Sequence, residues 1–492
     1  MRPISRRRAL ELGGLGLAST IVGGVGLARE IRAGTRFAAA VDAPVTEPPL
    51  LRSAGGVLDL RLEAAERRVR LAGRQATVLS FNGGVPGPTL HLRAGDRLRV
   101  ELVNRLAAPT NLHTHGLYVS PLGNGDNPFI KVEPGESFRY DYRLPDDHPP
   151  GVYWYHPHHH GLVADQVFGG LYGAIIVADA TPPPVTRERV LVVSDISLDG
   201  TGRLRPVSTM ARMMGREGDL VLVNGQAQPR LTARPQERQR WRIVNACTAR
   251  YLRLRLDGQQ LHLLGVDSGR YPEPREVAEV VLATGNRADL LVTTRSGSSQ
   301  LRALPYDRGS MMGMGMGMGG GNGPMAAPDR QDRLLATLDV AGTPVPAPDP
   351  LPTRPAPRDL RGAPVAARRQ LTVAAGMGIA MGSGGMRFTI DGKTFDPDRV
   401  DQRARVGTVE EWTITNTSPM DHPLHLHVWP MQLVEHRDQP IDPPTWQDVV
   451  NLPARSSTKV RVAFDAFPGR TVYHCHILDH EDTGMMGVID VQ

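Results

Sequence analysis

Residues 82–104 read NGGVPGPTLHLRAGDRLRVELVN, a turn followed by two short apolar segments. In the second segment, RLRVELV, apolar residues alternate with charged ones, which is the period of a half-buried β-strand. Two further segments, NGQAQPRLTARPQERQRWRIVN at 224–245 and DGKTFDPDRVDQRARVGTVEEWTITN at 391–416, show the same order of features. Each begins with Asn-Gly or Asp-Gly and ends in Asn after an alternating run. Three copies of one strand pattern predict an all-β chain built from three related β domains.

The length and composition agree with this prediction. A chain of 492 residues is too long for one ordinary core, and two to four domains are expected. The 53 glycines and 42 prolines, with only 5% aromatic residues, favour short strands and turns over long helices. We predict domains at 41–180, 181–340 and 366–492, with a proline-rich, extended connector at 341–365.

The charge is concentrated at the N-terminus. Seven arginines and two glutamates give residues 1–40 a charge of +5 out of the total of +6, so the remainder has no basic face for nucleic acid. Arg6, Arg7 and Arg8 precede an uncharged, glycine-rich stretch that is a poor membrane span. This segment resembles a twin-arginine export signal, although an anchoring helix is the alternative.

The resemblance to an export signal predicts how the chain is sorted. We expect the twin-arginine machinery to export it to the periplasm or another extracellular location of the cell envelope. After processing we expect no stable membrane insertion, and we expect the protein to be a monomer.

Histidines form four clusters: HTHG at 113–116, HPHHHG at 156–161, HPLHLH at 422–427 and HCHILDH at 474–480. In an extended chain, residues i and i+2 point to the same face, so each H-x-H pair presents two imidazoles together. Eight imidazoles can therefore converge on one multinuclear metal cluster. The pairs are His113 with His115, His156 with His158, His425 with His427, and His474 with His476.

The clusters divide between the outer domains. GVYWYHPH at 151–158 resembles GRTVYHCH at 469–476, whereas the middle repeat has no such histidine pair. The outer two domains are therefore predicted to carry the metal site, and the middle domain to be metal-free.

Cys475 lies between two paired histidines and should point to the opposite face of the strand. A second set of donors would then lie behind the strand, consisting of Cys475, His422, His480 and Met485. Two imidazoles, one thiolate and a weak thioether are typical of a blue-copper electron-transfer site, whereas zinc, the main competitor, prefers a closed tetrahedral cage. The other cysteine, Cys247, is expected to be a free, buried thiol.

These motifs resemble the four copper motifs of the multicopper oxidases, in the same order and over nearly the whole mature chain. The resemblance implies three cupredoxin-like Greek-key β-sandwich domains and four copper ions. The implied ligands are His422, Cys475, His480 and Met485 for type 1 copper; His113 and His425 for type 2; and, for the type 3 pair, His115, His156 and His476 on one ion and His158, His427 and His474 on the other.

The same resemblance implies a reaction in which a reducing substrate loses electrons one at a time and dioxygen is reduced to water. Glu481, next to His480, and Asp126, downstream of HTHG, are the implied proton relays. For Asp126 the alternative is a turn residue, since GNGDNP is rich in turn formers.

A methionine run, MMGMGMGMGGGNGPM at 311–325, bears on the substrate. Thioethers select Cu(I), so we expect the run to recruit that ion, although a low-complexity linker is the alternative. We predict a cuprous oxidase of copper tolerance; the alternatives are a laccase-like oxidase of phenols or aromatic amines and a copper-binding or storage protein. The methionines are Met311, Met312, Met314, Met316, Met318 and Met325.

Overall fold

The computed structural model describes residues 37–310, 331–352, 354–377 and 386–492. Most of the export-like segment and the whole methionine run at 311–325 lie outside this part of the chain. Within it, strands form six sheets and the helices are short, which confirms the all-β prediction. The helices are α1 (Val163–Gly169), α2 (Thr209–Met214) and α3 (Leu478–Asp482).

The first pair of sheets has the strand orders β3-β2-β5-β7 and β1-β4-β9-β8-β6. Neighbouring strands are often not consecutive in the chain, as in a Greek-key sandwich. A buried cluster that includes Leu98, Val100 and Leu102 fills the space between the sheets. The strands are β1 (Leu50–Arg52), β2 (Val57–Leu71), β3 (Arg74–Phe81), β4 (Thr89–Leu92), β5 (Arg97–Asn104), β6 (His113–His115), β7 (Ser137–Arg143), β8 (Gly151–His156) and β9 (Gly173–Val177).

The second pair has the orders β11-β10-β13-β18-β15-β16 and β12-β20-β19-β14-β17. Trp241 is fully buried in the core between these sheets. The strands are β10 (Arg187–Ile196), β11 (Leu220–Val223), β12 (Arg230–Ala233), β13 (Arg238–Asn245), β14 (Leu252–Leu256), β15 (Gln260–Val266), β16 (Gly269–Val277), β17 (Val280–Leu282), β18 (Arg287–Thr293), β19 (Gly297–Leu304) and β20 (Arg333–Val340).

The third pair has the orders β22-β21-β24-β29-β26-β27 and β23-β31-β30-β25-β28. Its core contains Trp412, Trp429 and the predicted metal ligands Cys475 and Met485. The strands are β21 (Ala367–Met377), β22 (Met386–Ile390), β23 (Gln402–Ala404), β24 (Val409–Asn416), β25 (His422–Leu426), β26 (Met431–His436), β27 (Gln439–Gln447), β28 (Val449–Leu452), β29 (Ser456–Ala463), β30 (Gly469–Cys475) and β31 (Met486–Val491).

The three sequence repeats occupy equivalent places in the three sheet pairs. Each contributes a short strand and then a longer one: β4 and β5, β12 and β13, β23 and β24. The terminal asparagine of each repeat is fully buried, and its side-chain amide donates to backbone carbonyls outside its strand. A buried amide must find such partners, which explains why the repeat ends in Asn. These residues are Asn104, Asn245 and Asn416.

The sheet pairs pack against one another. Trp154 of β8 and Val244 of β13 belong to one buried cluster, which also includes Leu478 of α3. This cluster brings elements of all three pairs together beside the histidine motifs. Among the described residues, none of the helices has the length and apolar character needed to cross a membrane.

Candidate metal centre

Cys475 ends β30, which lies between β31 and β25 in the third sheet pair. Its Sγ lies 3.4 Å from Nδ1 of His422 and 3.9 Å from Nδ1 of His480. His422 begins β25, the neighbouring strand, and His480 lies on α3, which follows β30 directly. The structure therefore brings together a thiol and two imidazoles from two neighbouring strands of one sheet and from the helix that follows the second of them.

Each of the two imidazoles is held by its outer nitrogen. Nε2 of His422 lies 2.8 Å from Oγ of Ser418, and Nε2 of His480 lies 3.2 Å from the backbone oxygen of Met213 in α2. The ring of Phe388 stacks on that of His480 at 3.9 Å between centroids. These contacts leave both Nδ1 atoms facing the sulfur, in the way that hydrogen bonds to the other ring nitrogen orient metal-binding histidines.

Met485 completes this group of donors. Its side chain is fully buried in the same cluster as Cys475. Its carbonyl accepts from the N–H of Cys475 at 3.0 Å, and its own N–H donates to the carbonyl of His480 at 2.9 Å. The backbone thus fixes Met485 beside two of the other donors.

The electrostatics of this group favour a metal ion. Burial raises the pKa of Cys475, and burial lowers the pKa of His422 to about 3. A buried thiolate needs a positive partner, and neutral imidazoles are ready to donate a lone pair. The set of sulfur and nitrogen donors fits copper.

The eight paired histidines meet on the other side of β30, and all are buried. Nε2 of His113 lies 3.3 Å from Nε2 of His425. Nε2 of His474 lies 3.1 Å from Nε2 of His158 and 3.2 Å from Nε2 of His427. The first pair of sheets and the third therefore contribute imidazoles to one cluster.

His476 is somewhat apart from the other seven. Within the part of the chain that is described, it joins none of the compact three-residue groups that could hold an ion. Its ring nevertheless lies 4.9 Å from that of His115 and 5.8 Å from that of His156, centroid to centroid. Three of the four pairs also differ from the simple strand picture, because His158, His427 and His476 lie just beyond the ends of their strands.

Several ring nitrogens in the cluster have no hydrogen-bond partner although they are buried. They are Nε2 of His156, Nδ1 of His427 and both nitrogens of His115 and His476. Burial, together with neighbouring imidazoles, lowers the pKa of these four side chains, so they are neutral and can donate lone pairs. Unpaired buried nitrogens are costly, and metal ions would satisfy them.

Outer partners orient several of the rings. Nδ1 of His156 donates to the carbonyl of Pro157 at 2.8 Å, and Nδ1 of His425 donates to the carbonyl of Asp448 at 2.7 Å. Nδ1 of His113 lies 2.9 Å from Oδ2 of Asp126. In each case Nε2 is left for the centre, which is the arrangement of metal-binding histidines.

Two buried carboxyl groups border the cluster. Oε2 of Glu481 lies 3.0 Å from Nδ1 of His474, and Oε1 lies 3.2 Å from Nε2 of His158. Burial raises the pKa of Glu481 to about 7, and burial raises that of Asp126 to about 7 against hydrogen bonds from Thr114. Both groups can therefore gain and lose protons near neutral pH.

Sequence reasoning missed four residues of the site: Ser418, Phe388, Asp448 and Met213, the last through its backbone oxygen. Ser418 lies four residues before His422, but no motif marks it. Asp448 follows β27 and lies far from the histidine motifs of the first domain in sequence. Cys247, in contrast, is free and buried as predicted.

Comparisons with known proteins agree with this geometry. Three models described as "Multicopper oxidase" match residues 63–182, 190–300 and 368–492. The chain is 27% identical to the multicopper oxidase mco of Staphylococcus haemolyticus over 427 residues, covering 85% of this chain and 84% of that protein.

Solved structures give the same result. A Campylobacter jejuni multicopper oxidase, described as a metallo-oxidase, superposes with a TM-score of 0.81 at 28% identity, covering 93% of this chain and 97% of the other. The laccase-like multicopper oxidase CueO of Ochrobactrum sp. superposes with a TM-score of 0.75 at 25% identity, covering 91% and 100%.

The fold and the donor set define a copper-binding oxidoreductase built from cupredoxin-like domains. The chain belongs to the multicopper oxidase family, whose members use dioxygen and a reducing substrate.

Proposed function

We propose that the chain holds four copper ions in two sites. His422, Cys475, His480 and Met485 hold the type 1 ion, and His113 and His425 hold the type 2 ion. The type 3 pair is held by His115, His156 and His476 on one ion and by His158, His427 and His474 on the other. The close group of His158, His427 and His474 and the 3.3 Å approach of His113 to His425 support this division.

The observation that carries the proposal is the position of Cys475 between two histidines of the other site. Its sulfur faces His422 and His480, while its chain neighbours His474 and His476 face the eight-histidine cluster. When bound, copper at two such sites supplies one-electron oxidation of a donor and four-electron reduction of dioxygen to water. A storage protein would not need a covalent link between two different sites, which argues against the storage alternative.

Reduction of dioxygen to water consumes protons, and the chain offers two groups that could deliver them. Glu481 contacts His474 and His158, and Asp126 contacts His113. We propose that both carboxyl groups hold protons at the edge of the cluster and pass them inward. Their raised pKa values match that role.

We propose Cu(I) as the electron donor. Helix α2 of the middle sheet pair covers His480 through the carbonyl of Met213. Met214 and Met386 pack against the core cluster that contains Cys475. Gly309, just before the methionine run, pairs with Met420, two residues before His422. Methionines from separate segments thus lie around the proposed type 1 site, and the similarity to a metallo-oxidase favours a metal ion as donor.

A phenol or aromatic amine is the second candidate donor. The Ochrobactrum relative is described as having oxidase activity towards lignin model compounds and lignosulfonate. In that case the methionines around His480 would have no role in turnover. The copper-tolerance role would then also be absent.

Spectroscopy of the copper-loaded protein tests the assignment of the sites. We expect four copper ions per chain, intense blue absorption from the thiolate site, and a type 2 signal in electron paramagnetic resonance (EPR) spectra. A colourless protein, or one with a single copper, would contradict the assignment.

Oxygen uptake with Cu(I) and with a phenol separates the two donors. The variant is a deletion of 311–325, and its control is a chain of full length in which the six methionines of that segment are replaced by serine. We expect both changes to slow Cu(I) oxidation and to leave phenol oxidation unaffected or faster. Equal Cu(I) oxidation in all three proteins would remove the recruiting role of the run.

We also propose export by the twin-arginine machinery to the periplasm or another extracellular location, and function as a monomer, with a role in copper tolerance. Replacing Arg6, Arg7 and Arg8 by lysines should retain the protein in the cytoplasm, and cell fractionation would detect this. Light scattering of the exported protein measures its mass and checks the monomer.

A further inference from the structure

A loop of the middle sheet pair reaches the eight-histidine cluster although it supplies no metal-binding side chain. This loop, residues 283–287 with the sequence ATGNR, consists of the four residues between β17 and β18 and of Arg287, the first residue of β18. It is referred to below as the 283–287 loop. The middle repeat has no H-x-H pair, so the sequence predicts no contribution from it to the centre.

The backbone of Gly285 packs against the ring of His476. A Cβ added at Gly285 would lie 2.8 Å from Nε2 of His476, and the φ angle of +84° is one that other residues rarely adopt. The hydroxyl of Thr284 donates to the carbonyl of His476. The loop therefore contacts both the ring and the backbone of the one histidine that lies apart from the others.

Arg287, at the end of the loop, is fully buried and donates two hydrogen bonds to the carboxylate of Asp448, at 2.5 and 2.7 Å. The carbonyl of Asp448 is the acceptor for Nδ1 of His425, and Oδ1 of Asp448 lies 3.2 Å from Nδ1 of His115. A two-pronged guanidinium–carboxylate pair has a fixed geometry. Arg287 thus fixes the residue that touches two further imidazoles.

The ion pair of Arg287 and Asp448 is enclosed on both sides. Nε of Arg287 donates to the carbonyl of Val152 in the first sheet pair at 2.9 Å. On the other side, Asp267 accepts from the backbone N–H groups of Arg287 at 2.9 Å and Asp448 at 3.1 Å. Gly116, the last residue of HTHG, leaves no room for a side chain, because a Cβ there would lie 2.4 Å from Nη2 of Arg287. All three sheet pairs meet at this guanidinium.

We propose that the 283–287 loop is a positioning element of the eight-histidine centre: Gly285 and Thr284 set the place of His476, and Arg287, through Asp448, sets those of His425 and His115. The inference rests on the proposed function, since it concerns the same centre. It assigns to the second sheet pair a direct part in building the oxygen-reducing site.

Arg287→Gln tests the arginine, with Arg240→Gln as the matched control. Arg240 is also fully buried in the middle sheet pair and also forms a two-pronged pair, with Asp289 at 2.8 and 2.6 Å. Both substitutions break a buried ion pair and should destabilise the fold similarly. We expect Arg287→Gln alone to lower copper affinity at the type 2 and type 3 positions, by about 10- to 100-fold.

The measurements are copper retained against a chelator, the EPR spectrum of type 2 copper, and the blue absorption. In Arg287→Gln the EPR spectrum should change while the blue absorption stays, and Arg287→Lys should restore part of the signal. Type 2 and type 3 signals identical to those of Arg240→Gln would overturn the inference.

Gly285→Ala provides a second test that does not depend on a buried charge. Its control is Gly258→Ala, because Gly258 has a similar φ of +72° but open space, with the nearest atom 3.9 Å from an added Cβ. The backbone strain is then matched, and only the contact with His476 differs. We expect loss of type 3 copper in Gly285→Ala alone; equal copper content in the two variants would overturn the loop's role.

Failure of the proposed function and failure of the loop inference give different results. Lack of blue absorption and of bound copper in the unaltered protein would remove the proposed function. The positioning role of the 283–287 loop would still be tested on the metal-free proteins. There the imidazole NMR signals of His476 should shift in Gly285→Ala and stay in place in Gly258→Ala. Unshifted His476 signals in Gly285→Ala would reject the inference.

Discussion

The two candidate copper sites lie back to back on β30, yet they are built differently. The donors of the cysteine site all come from the third sheet pair. Cys475 and Met485 belong to its core cluster, and His422 and His480 form a compact group with Cys475. The eight-histidine cluster takes donors from the first and third pairs and is bordered by the 283–287 loop of the second. One site takes all its donors from a single sandwich, whereas the other takes donors from two sandwiches and contacts from all three.

This difference predicts which substitutions should disturb each site. The donors of the cysteine site lie on β25, on β30 and on the segment that begins with α3, all in one sandwich, and the second sheet pair adds the contact of the Met213 carbonyl with His480. The histidine cluster depends in addition on contacts between sheet pairs, such as the buried pair of Arg287 and Asp448. Substitutions on the two faces of β30 should therefore have separable spectroscopic effects.

The largest effect is expected for Cys475→Ser. The hydroxyl cannot replace the thiolate, so the blue absorption should vanish and oxygen uptake should fall by more than about 100-fold, beyond what loss of an outer partner costs. The type 2 EPR signal should remain, because the eight imidazoles are intact. Loss of both signals would show that the two sites are not independent, which would contradict separable effects on the two faces of β30.

Glu481→Gln should act on the opposite face. Loss of a proton-transferring group lowers rates by about 100-fold or more, so oxygen turnover should fall while the blue absorption stays. Burial raises the pKa of Glu481 to about 7, so the carboxyl group is protonated below that pH and ionised above it. Turnover of the unaltered protein should decline as pH rises through about 7.

The pH profile provides the control for this prediction. The amide of Glu481→Gln does not titrate, so turnover of the variant should change little across the same range. An unchanged rate in the variant, with the same pH dependence as the unaltered protein, would exclude Glu481 as the relay.

The smallest effect is expected for Ser418→Ala. Its Oγ lies 2.8 Å from Nε2 of His422, so the change removes one outer hydrogen bond from one ligand of the cysteine site. Such a loss costs about 1 kcal/mol, and copper affinity at that site should fall by roughly tenfold or less. Blue absorption during titration with a chelator measures this, and a change in the type 2 signal would contradict the separation of the two faces.

Much of the fold could be predicted because its signals are local. Alternation of apolar and charged residues indicates a strand with one buried face. The Asn that ends each repeat marks the end of the second strand, where its buried amide donates to nearby backbone carbonyls. His474 and Cys475, which both lie on β30, could be assigned to opposite faces for the same reason. The division into three domains at the stated boundaries stays a prediction.

Contacts between distant segments could not be predicted in this way. Ser418 and Phe388 carry no motif, and the contact of Met213 with His480 is made by a backbone oxygen that every residue has. Nor does the strand period explain why His158, His427 and His476, which lie beyond strand ends, still face the cluster.

The sequence by itself determined which residues are candidate copper ligands and how those on β30 are divided between its two faces, because side-chain chemistry and the two-residue period are properties of a short segment. The tertiary structure alone decided that His113 lies beside His425, and that the ATGNR loop of the second sheet pair packs against His476. Such contacts depend on how three sandwiches pack, and packing is a property of whole buried surfaces that no short segment encodes.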